Sequence, residues 1–234
     1  LTYTRLSECQ FKDAINNLNV NYRFIEIDKL NSIKNLNKKI DPHPFVPSDS
    51  DKLNLRSKEI FNIQSTALAK RLKHTKATKA VIGISGGIDS TLALLVVRDA
   101  FIKLNKNLED IYAITMPGFG TSDKTLQNAI KLTRSLGIPL NNIDIKPACI
   151  QHLKDIEHDL NDHSIVYENV QARERTQILM SIANKYNGLV IGTGDLSEIA
   201  LGWSTYNADH MSMYSVNCSI PKTLIRFIIK WHAI

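Results

Sequence analysis

Apolar positions along most of the chain alternate between two periods. "SKEIFNIQSTALAKRLKH" (57–74) carries them at helical spacing, and residues 81–101 read as a strand, a turn and an apolar helix. "IYAITMPG" (111–118) is a second strand, followed by a helix over 122–137 that closes on Gly137 as a C-cap would. "NIDIKPA" (142–148) reads as a third short strand, "NVQARERTQILMSIANKYNG" (169–188) as a long amphipathic helix, and "LVIGTGD" (189–195) as a fourth strand. Strands separated by helices call for parallel pairing and right-handed crossovers. The expected fold class is therefore α/β, a doubly wound parallel sheet flanked by helices.

The first 40 residues are poorly patterned. They predict a short helix over 6–17 and a strand over 22–29, "YRFIEIDK". "DPHPFVPSDSD" (41–51) follows, and its prolines fix φ and remove backbone donors. It reads as an extended connector that divides the chain into residues 1–45 and a domain over 46–234.

Composition narrows the picture only modestly. The chain has 234 residues, 43% of them hydrophobic, which suffices for one sizeable core. It has no apolar run of roughly 18 residues and its first ten residues lack a signal pattern, so a cytoplasmic protein without membrane association is expected. Cys9, Cys149 and Cys218 lie far apart and read as reduced structural thiols. A net charge of +6 comes from scattered lysines with no aromatic-and-basic module, which disfavours a nucleic-acid partner and suits nucleotide phosphates.

Chemistry concentrates in "VIGISGGIDSTLALLVV" (81–97). Ser85, Gly86 and Gly87 stand at the carboxyl end of a strand, where open α/β sheets bind ligands. Two glycines let the backbone turn several N–H groups toward one anion, and the helix N-terminus adds unpaired donors and partial positive charge. Asp89 is the misfit, because a carboxylate beside a phosphate repels it unless a divalent cation lies between them. Taken alone, Asp89 and Ser90 also fit an ordinary first helical turn. No Gly-Lys-Ser/Thr and no Gly-x-Gly-x-x-Gly occurs, so neither the Walker nor the dinucleotide-binding pattern applies.

At these residues the sequence resembles the ATP-pyrophosphatase family, whose SGGxDS loop cradles the pyrophosphate of ATP. The loop implies a half-reaction, adenylation of a substrate oxygen with loss of pyrophosphate, and leaves the substrate open.

A second constellation begins at the fourth strand. Thr193, Asp195, Ser197 and Glu198 belong on the same rim as the loop. Glu198 is a candidate second carboxylate for a metal with Asp89, and Lys222 in "SIPKTL" a candidate to neutralise departing pyrophosphate. Singly, these read as a capping turn and a solvated lysine. Together, "YENVQARERTQILM", "GTGDLSEIALGWSTYNADHMSMY" and "SIPKTL" resemble the synthetase domain of the NAD synthetases, particularly the glutamine-dependent form, and "DPHPFVPSD" followed by "NIQ" resembles the junction preceding it.

The resemblance implies an adenine nucleotide alpha-hydrolase-like fold and a set of site residues. ATP would be held by Gly83, Ile84, Ser85, Gly86, Gly87, Ile88, Asp89, Ser90, Thr193 and Lys222. Mg2+ would lie on Asp89 and Glu198. Nicotinic acid adenine dinucleotide would meet Asn169, Arg173, Glu198, Trp203, Ser204, Thr205, Tyr206 and Asp209. Asp89, Glu198 and Lys222 would carry catalysis of an amidation: the nicotinate carboxylate attacks ATP, pyrophosphate leaves, and ammonia displaces AMP from the acyl-adenylate. The family resemblance also implies a homodimer or higher homo-oligomer.

Two departures shape the expectation. The glutamine-dependent form carries a nitrilase-like glutaminase, of which residues 1–45 would be the tail, and Glu8–Cys9 has no scaffold around it. The synthetase domain would also continue past the last residue, so a fragment using ammonia is expected. Another adenylating amidotransferase, such as a GMP synthetase, or a non-catalytic nucleotide-binding fragment are the alternatives.

Overall fold

The computed structural model describes residues 23–26, 38 and 40–233. The expected helix over 6–17 and Cys9 lie outside these residues. Of the expected strand over 22–29, residues 23–26 are described and form none.

Within the unit that begins at Pro42, helix α1 (Ser50–Thr75) opens where the Asp49 side chain accepts a hydrogen bond from Lys52 N at 2.8 Å. The helix thus starts inside the stretch read as extended connector, because the Asp49 cap stands two residues after Pro47, the last proline of that stretch. Strand β1 (Lys79–Gly83) leads into helix α2 (Ile88–Lys103). Strand β2 (Ile111–Thr115) leads to helix α3 (Asp123–Leu136), capped by the Ser122 side chain and ended by Gly137 at φ 68°. Strand β3 (Leu140–Asn142), helix α4 (Lys146–Asp155), helix α5 (Ile165–Lys185) and strand β4 (Gly188–Gly192) follow. Short helix α6 (Leu196–Leu201), strand β5 (Tyr214–Ser215) and helix α7 (Lys222–His232) complete the described elements.

The five strands form one parallel sheet in the order β3-β2-β1-β4-β5. The connection from β1 runs outward to β2 on one side, whereas β4 lies on the other. The adjacent carboxyl ends of β1 and β4 therefore form the crevice at which such sheets bind ligands. The β1–β4 register ends with Ile82 opposite Ile191.

Both faces of the sheet are covered. Ala80, Ile82, Ile111, Ala113, Leu189 and Ile191 pack with residues of α1, α2 and α7, while Val81, Ile114 and Val190 pack with Cys149 and Leu153 of α4 and Val170 of α5. Alternation in and out of two cores makes each strand read as a continuous apolar run. Helix α2 is apolar on every side because it lies between the sheet and α1 and α7.

Two expectations need correction. The third strand is Leu140–Asn142, not residues 142–148, and "KPA" opens α4. Ile143 and Ile145 alternate in the run-in to that helix, where Asp144 accepts from Lys146 N at 3.0 Å and Pro147 sits in a first turn that needs no donor from it. The sheet also has a fifth strand, β5, whose two residues are too short for any period to show.

Burial pushes the Cys149 thiol above its ordinary pKa. At pH 8 iodoacetamide should leave Cys149 unmodified in the folded protein and alkylate it in urea, read by peptide mass spectrometry. Labelling of Cys149 under native conditions would contradict this packing.

Candidate active site

The β1–α2 loop leaves backbone donors uncapped at the carboxyl end of β1. Ile84 is buried and its N–H donates to Ile114 O at 2.7 Å, which anchors the loop to the neighbouring strand. Gly86 adopts φ 81°, and a Cβ there would lie 2.1 Å from Thr125 O, so only glycine fits. Gly87 is the N-cap of α2 and offers no side-chain cap, leaving first-turn donors open to a ligand. Ser85 Oγ accepts from Gly87 N at 3.2 Å and shares a 3.1 Å hydrogen bond with Ser90 Oγ, which also donates to Gly87 O. Gly83 ends β1, and Ile88 opens α2.

Asp89, in the first turn of α2, meets the second constellation through Lys222. The Lys222 ammonium lies 2.8 Å from Asp89 Oδ2, 2.9 Å from Glu198 Oε1 and 3.1 Å from Asp195 Oδ2. Asp195 is fully buried and caps α6 reciprocally: its Oδ1 accepts from Glu198 N at 2.9 Å, and Glu198 Oε2 accepts from Asp195 N at 3.1 Å. The first turn of α7 is tied in by Lys222 N, which donates to Ser197 Oγ at 3.1 Å.

Three carboxylates share one ammonium. Burial disfavours the Lys222 charge, but hydrogen bonding to Asp89, Glu198 and Asp195 outweighs it and holds the lysine above its ordinary pKa. Burial raises the Asp89 carboxyl, which Lys222 lowers in part and Glu198 and Asp195 raise again. The three carboxylates each offer an oxygen within 4.8 Å of the others, and Asp89 Oδ1 is buried without a hydrogen-bond partner among the described residues. Such a donor set of hard oxygens suits a divalent cation.

Thr193 stands just past β4, with its carbonyl accepting from Asn217 Nδ2 at 3.1 Å. The other expected residues form a separate group. Arg173 Nε donates to Tyr206 O at 3.3 Å, Thr205 N donates to Asp209 Oδ2 at 3.2 Å, and Asn169 lies one turn before Arg173 on α5. Trp203, Ser204 and Tyr206 are exposed on the segment that follows α6, with Trp203 at 78% and Tyr206 at 73%. Among the described residues this group meets the Lys222 cluster through the backbone, where Trp203 N donates to Glu198 O at 2.8 Å.

The comparisons with known proteins bear on this arrangement. The sequence profile described as NAD synthase matches residues 59–233. The chain belongs to the NAD synthase family. The glutamine-dependent NAD(+) synthetase of Mycobacterium leprae is 43% identical over 199 residues, covering 83% of this chain and 29% of that protein. The chain thus spans under a third of the length of that relative. Among solved structures, the glutamine-dependent NAD+ synthetase of Acinetobacter baumannii in complex with ADP matches with a TM-score of 0.69 and 27% identity, over 75% of this chain and 32% of that one. The NH3-dependent NAD synthetase of Campylobacter jejuni, in complex with the nitrate ion, matches with a TM-score of 0.68 and 25% identity, over 76% and 74%. The doubly wound sheet expected from the periodicity is the fold of these NAD synthetases.

Sequence reasoning missed three polar residues here. Asp195 was placed on the rim but not among the carboxylates facing the lysine. Gln64 and Asn217, both buried, were not singled out. Gln64 left a signal, a polar residue on the apolar stripe of α1 between Phe61 and Leu68.

Two outcomes follow from this geometry. Gly86→Ala should destabilise the protein by more than about 2 kcal/mol in urea unfolding, since it adds both a positive-φ penalty and a clash with Thr125 O. A near-neutral change would mean that the loop and α3 separate freely. Lys222→Met should lower Tm at neutral pH, where the carboxylates face one another uncompensated, and the deficit should shrink as acid protonates them. Mg2+ should raise Tm more in this variant than in the wild type. An unchanged Tm at pH 7 would show that the ammonium does not hold the cluster together.

Proposed function

We propose that the chain catalyses ATP-dependent amidation of nicotinic acid adenine dinucleotide to NAD with ammonia as nucleophile. The observation that carries this reading is the Lys222 ammonium held among Asp89, Asp195 and Glu198 at the β1/β4 crevice, beside an anion loop that only glycine can form. Membership of the NAD synthase family supports the substrate assignment.

The open donors of the first turn of α2, with Gly86, Gly87, Ser85 and Ser90, hold the phosphates of ATP, and Gly83, Ile84, Ile88 and Thr193 shape the walls of that subsite. Asn169, Arg173, Trp203, Ser204, Thr205, Tyr206 and Asp209 hold the dinucleotide, the two exposed aromatic rings offering faces for its bases. The nicotinate carboxylate oxygen bonds to the α-phosphorus as the bond to pyrophosphate breaks. Ammonia then bonds to the acyl carbon, AMP leaves with the former carboxylate oxygen, and a proton passes to solvent. No side-chain nucleophile is needed, so positioning and charge neutralisation carry the rate.

Asp89 and Glu198, with Asp195 beside them, would hold Mg2+, which neutralises phosphate charge when bound. Lys222 then turns its ammonium from the carboxylates to the leaving pyrophosphate. The exposed Ile199, Leu201 and Trp203 support association of two copies over this surface.

The test is NAD formation from ATP, the deamidated dinucleotide and ammonium chloride, read by a coupled dehydrogenase. Asp89→Asn should weaken Mg2+-ATP binding far more than metal-free ATP binding. Lys222→Ala should lower kcat by about 100-fold with little change in KM. A folded wild-type chain that binds the dinucleotide but forms no NAD would overturn the reading.

A further inference from the structure

The two halves of the site stand on strand ends that stop pairing at Ile82 and Ile191. Past that point the segment after β1 carries Asp89 and the segment after β4 carries Asp195 and Glu198, three carboxylates whose mutual repulsion Lys222 offsets. Asn217 closes the gap. Its Nδ2 donates to Asp89 O at 2.9 Å and to Thr193 O at 3.1 Å, one hydrogen for each loop. Its Oδ1 accepts from Gln64 Nε2 at 3.2 Å, and the same nitrogen donates to Val216 O at 2.8 Å. Asn217 is fully buried and Gln64 is 7% exposed, so water does not compete for these bonds.

The chemistry of the position admits few side chains. Two carbonyl oxygens face the nitrogen end, so the group there must be a double donor, while Gln64 requires an acceptor at the other end. A primary amide supplies both. Aspartate has the same shape but no donor, and it would set a fourth carboxylate against two carbonyls and the acidic cluster. The turn that bears Asn217 is itself fixed, because Ile220 N donates to Asn217 O at 2.9 Å and Leu196 N, in the first turn of α6, donates to Ile220 O at 3.0 Å.

We propose that Asn217, oriented by Gln64, is a positioning residue that braces the first turn of α2 at Asp89 against the Thr193 loop and so sets the spacing of the carboxylates that receive the metal–nucleotide complex. The brace touches no reacting atom. It acts through the backbone of Asp89 and of Thr193, two residues before Asp195. The kinetic arm of its test rests on the NAD-forming reading above; the binding arm does not.

The test uses the full chain with Asn217→Asp, Asn217→Ala, Gln64→Leu and the double variant Asn217→Ala/Gln64→Leu. Leu153→Ala, buried on the opposite face of the sheet, serves as a control that loses stability without touching the brace. Binding of Mn2+ in the presence of ATP is followed by electron paramagnetic resonance at a temperature where each variant is folded. Asn217→Asp and Asn217→Ala should weaken it by at least about tenfold, as loss of two buried hydrogen bonds implies, and Gln64→Leu by less. The double variant should lose little more than Asn217→Ala, since the two residues act as one unit. Ammonia-dependent kcat should fall in parallel with no change in KM for the dinucleotide, while Leu153→Ala lowers Tm and leaves both readouts intact.

Wild-type Mn2+–ATP binding in folded Asn217 variants would overturn the proposal, as would equal losses in Leu153→Ala. If the Asn217 variants do not fold, Gln64→Leu decides, and wild-type binding in that variant overturns it. A wild type that binds Mn2+–ATP but makes no NAD sinks the proposed function and leaves the brace to be judged by binding alone. A wild type that binds no Mn2+–ATP sinks both.

Discussion

The site depends on one ammonium shared by three carboxylates. Asp89 comes from the first turn of α2, Asp195 and Glu198 from the cap and first turn of α6, and Lys222 from the first turn of α7. Without the lysine the acidic groups would push the β1 and β4 loops apart at the point where sheet pairing no longer holds them. Each nearby device makes sense against that repulsion: the reciprocal cap that fixes Glu198 on Asp195, the Ser197 hydroxyl that receives Lys222 N, and the amide of Asn217 that bridges two carbonyls.

Among the described helices, α1, α3 and α6 have side-chain N-caps, and α2, α4, α5 and α7 do not. Helices α1, α3 and α6 begin on Asp49, Ser122 and Asp195, whose side chains accept from their first turns. Helix α2 begins on Gly87, which has no side chain to do so. Its donors stay open while carboxylates gather a few residues away, so the crevice offers hydrogen bonds to an anion and oxygens to a cation at once. A polyphosphate carrying its own divalent ion satisfies both demands, which a bare anion or a bare metal does not.

How much of this was legible in the sequence varied with the range of the interaction. The Ser85–Gly87 turn and Asp89 could be read locally, because strand, glycines and helix follow one another within a few positions. Glu198 and Lys222 were candidates from their place near the rim and gained weight through resemblance, since a glutamate in a capping turn and a lysine after proline are ordinary alone. Gln64 and Asn217 are joined across 153 positions and carry no local pattern, apart from the oddity of an amide on an apolar helix stripe. The misplaced third strand has the opposite cause: Ile143 and Ile145 imitate a strand period while Asp144 and Pro147 start a helix. The two residues of β5 are visible only once β4 is beside them.

The strand order has a kinetic side. Strands β1 and β2 are near neighbours in the chain, but β1 can acquire its other partner only after more than half of the sheet's connections have been made. Contacts of such long range carry a large loop-closure cost and form late. During synthesis, the Ser85–Gly87 turn emerges before residues 189–222, and Asp89 must wait for them before it has a counter-charge. Until then the nascent chain exposes an apolar α2 and an uncovered sheet edge, the features that recruit chaperones or lead to aggregation. Assembly of the Lys222 cluster and completion of the sheet therefore coincide, and a partly folded chain does not bring the three carboxylates and the ammonium together.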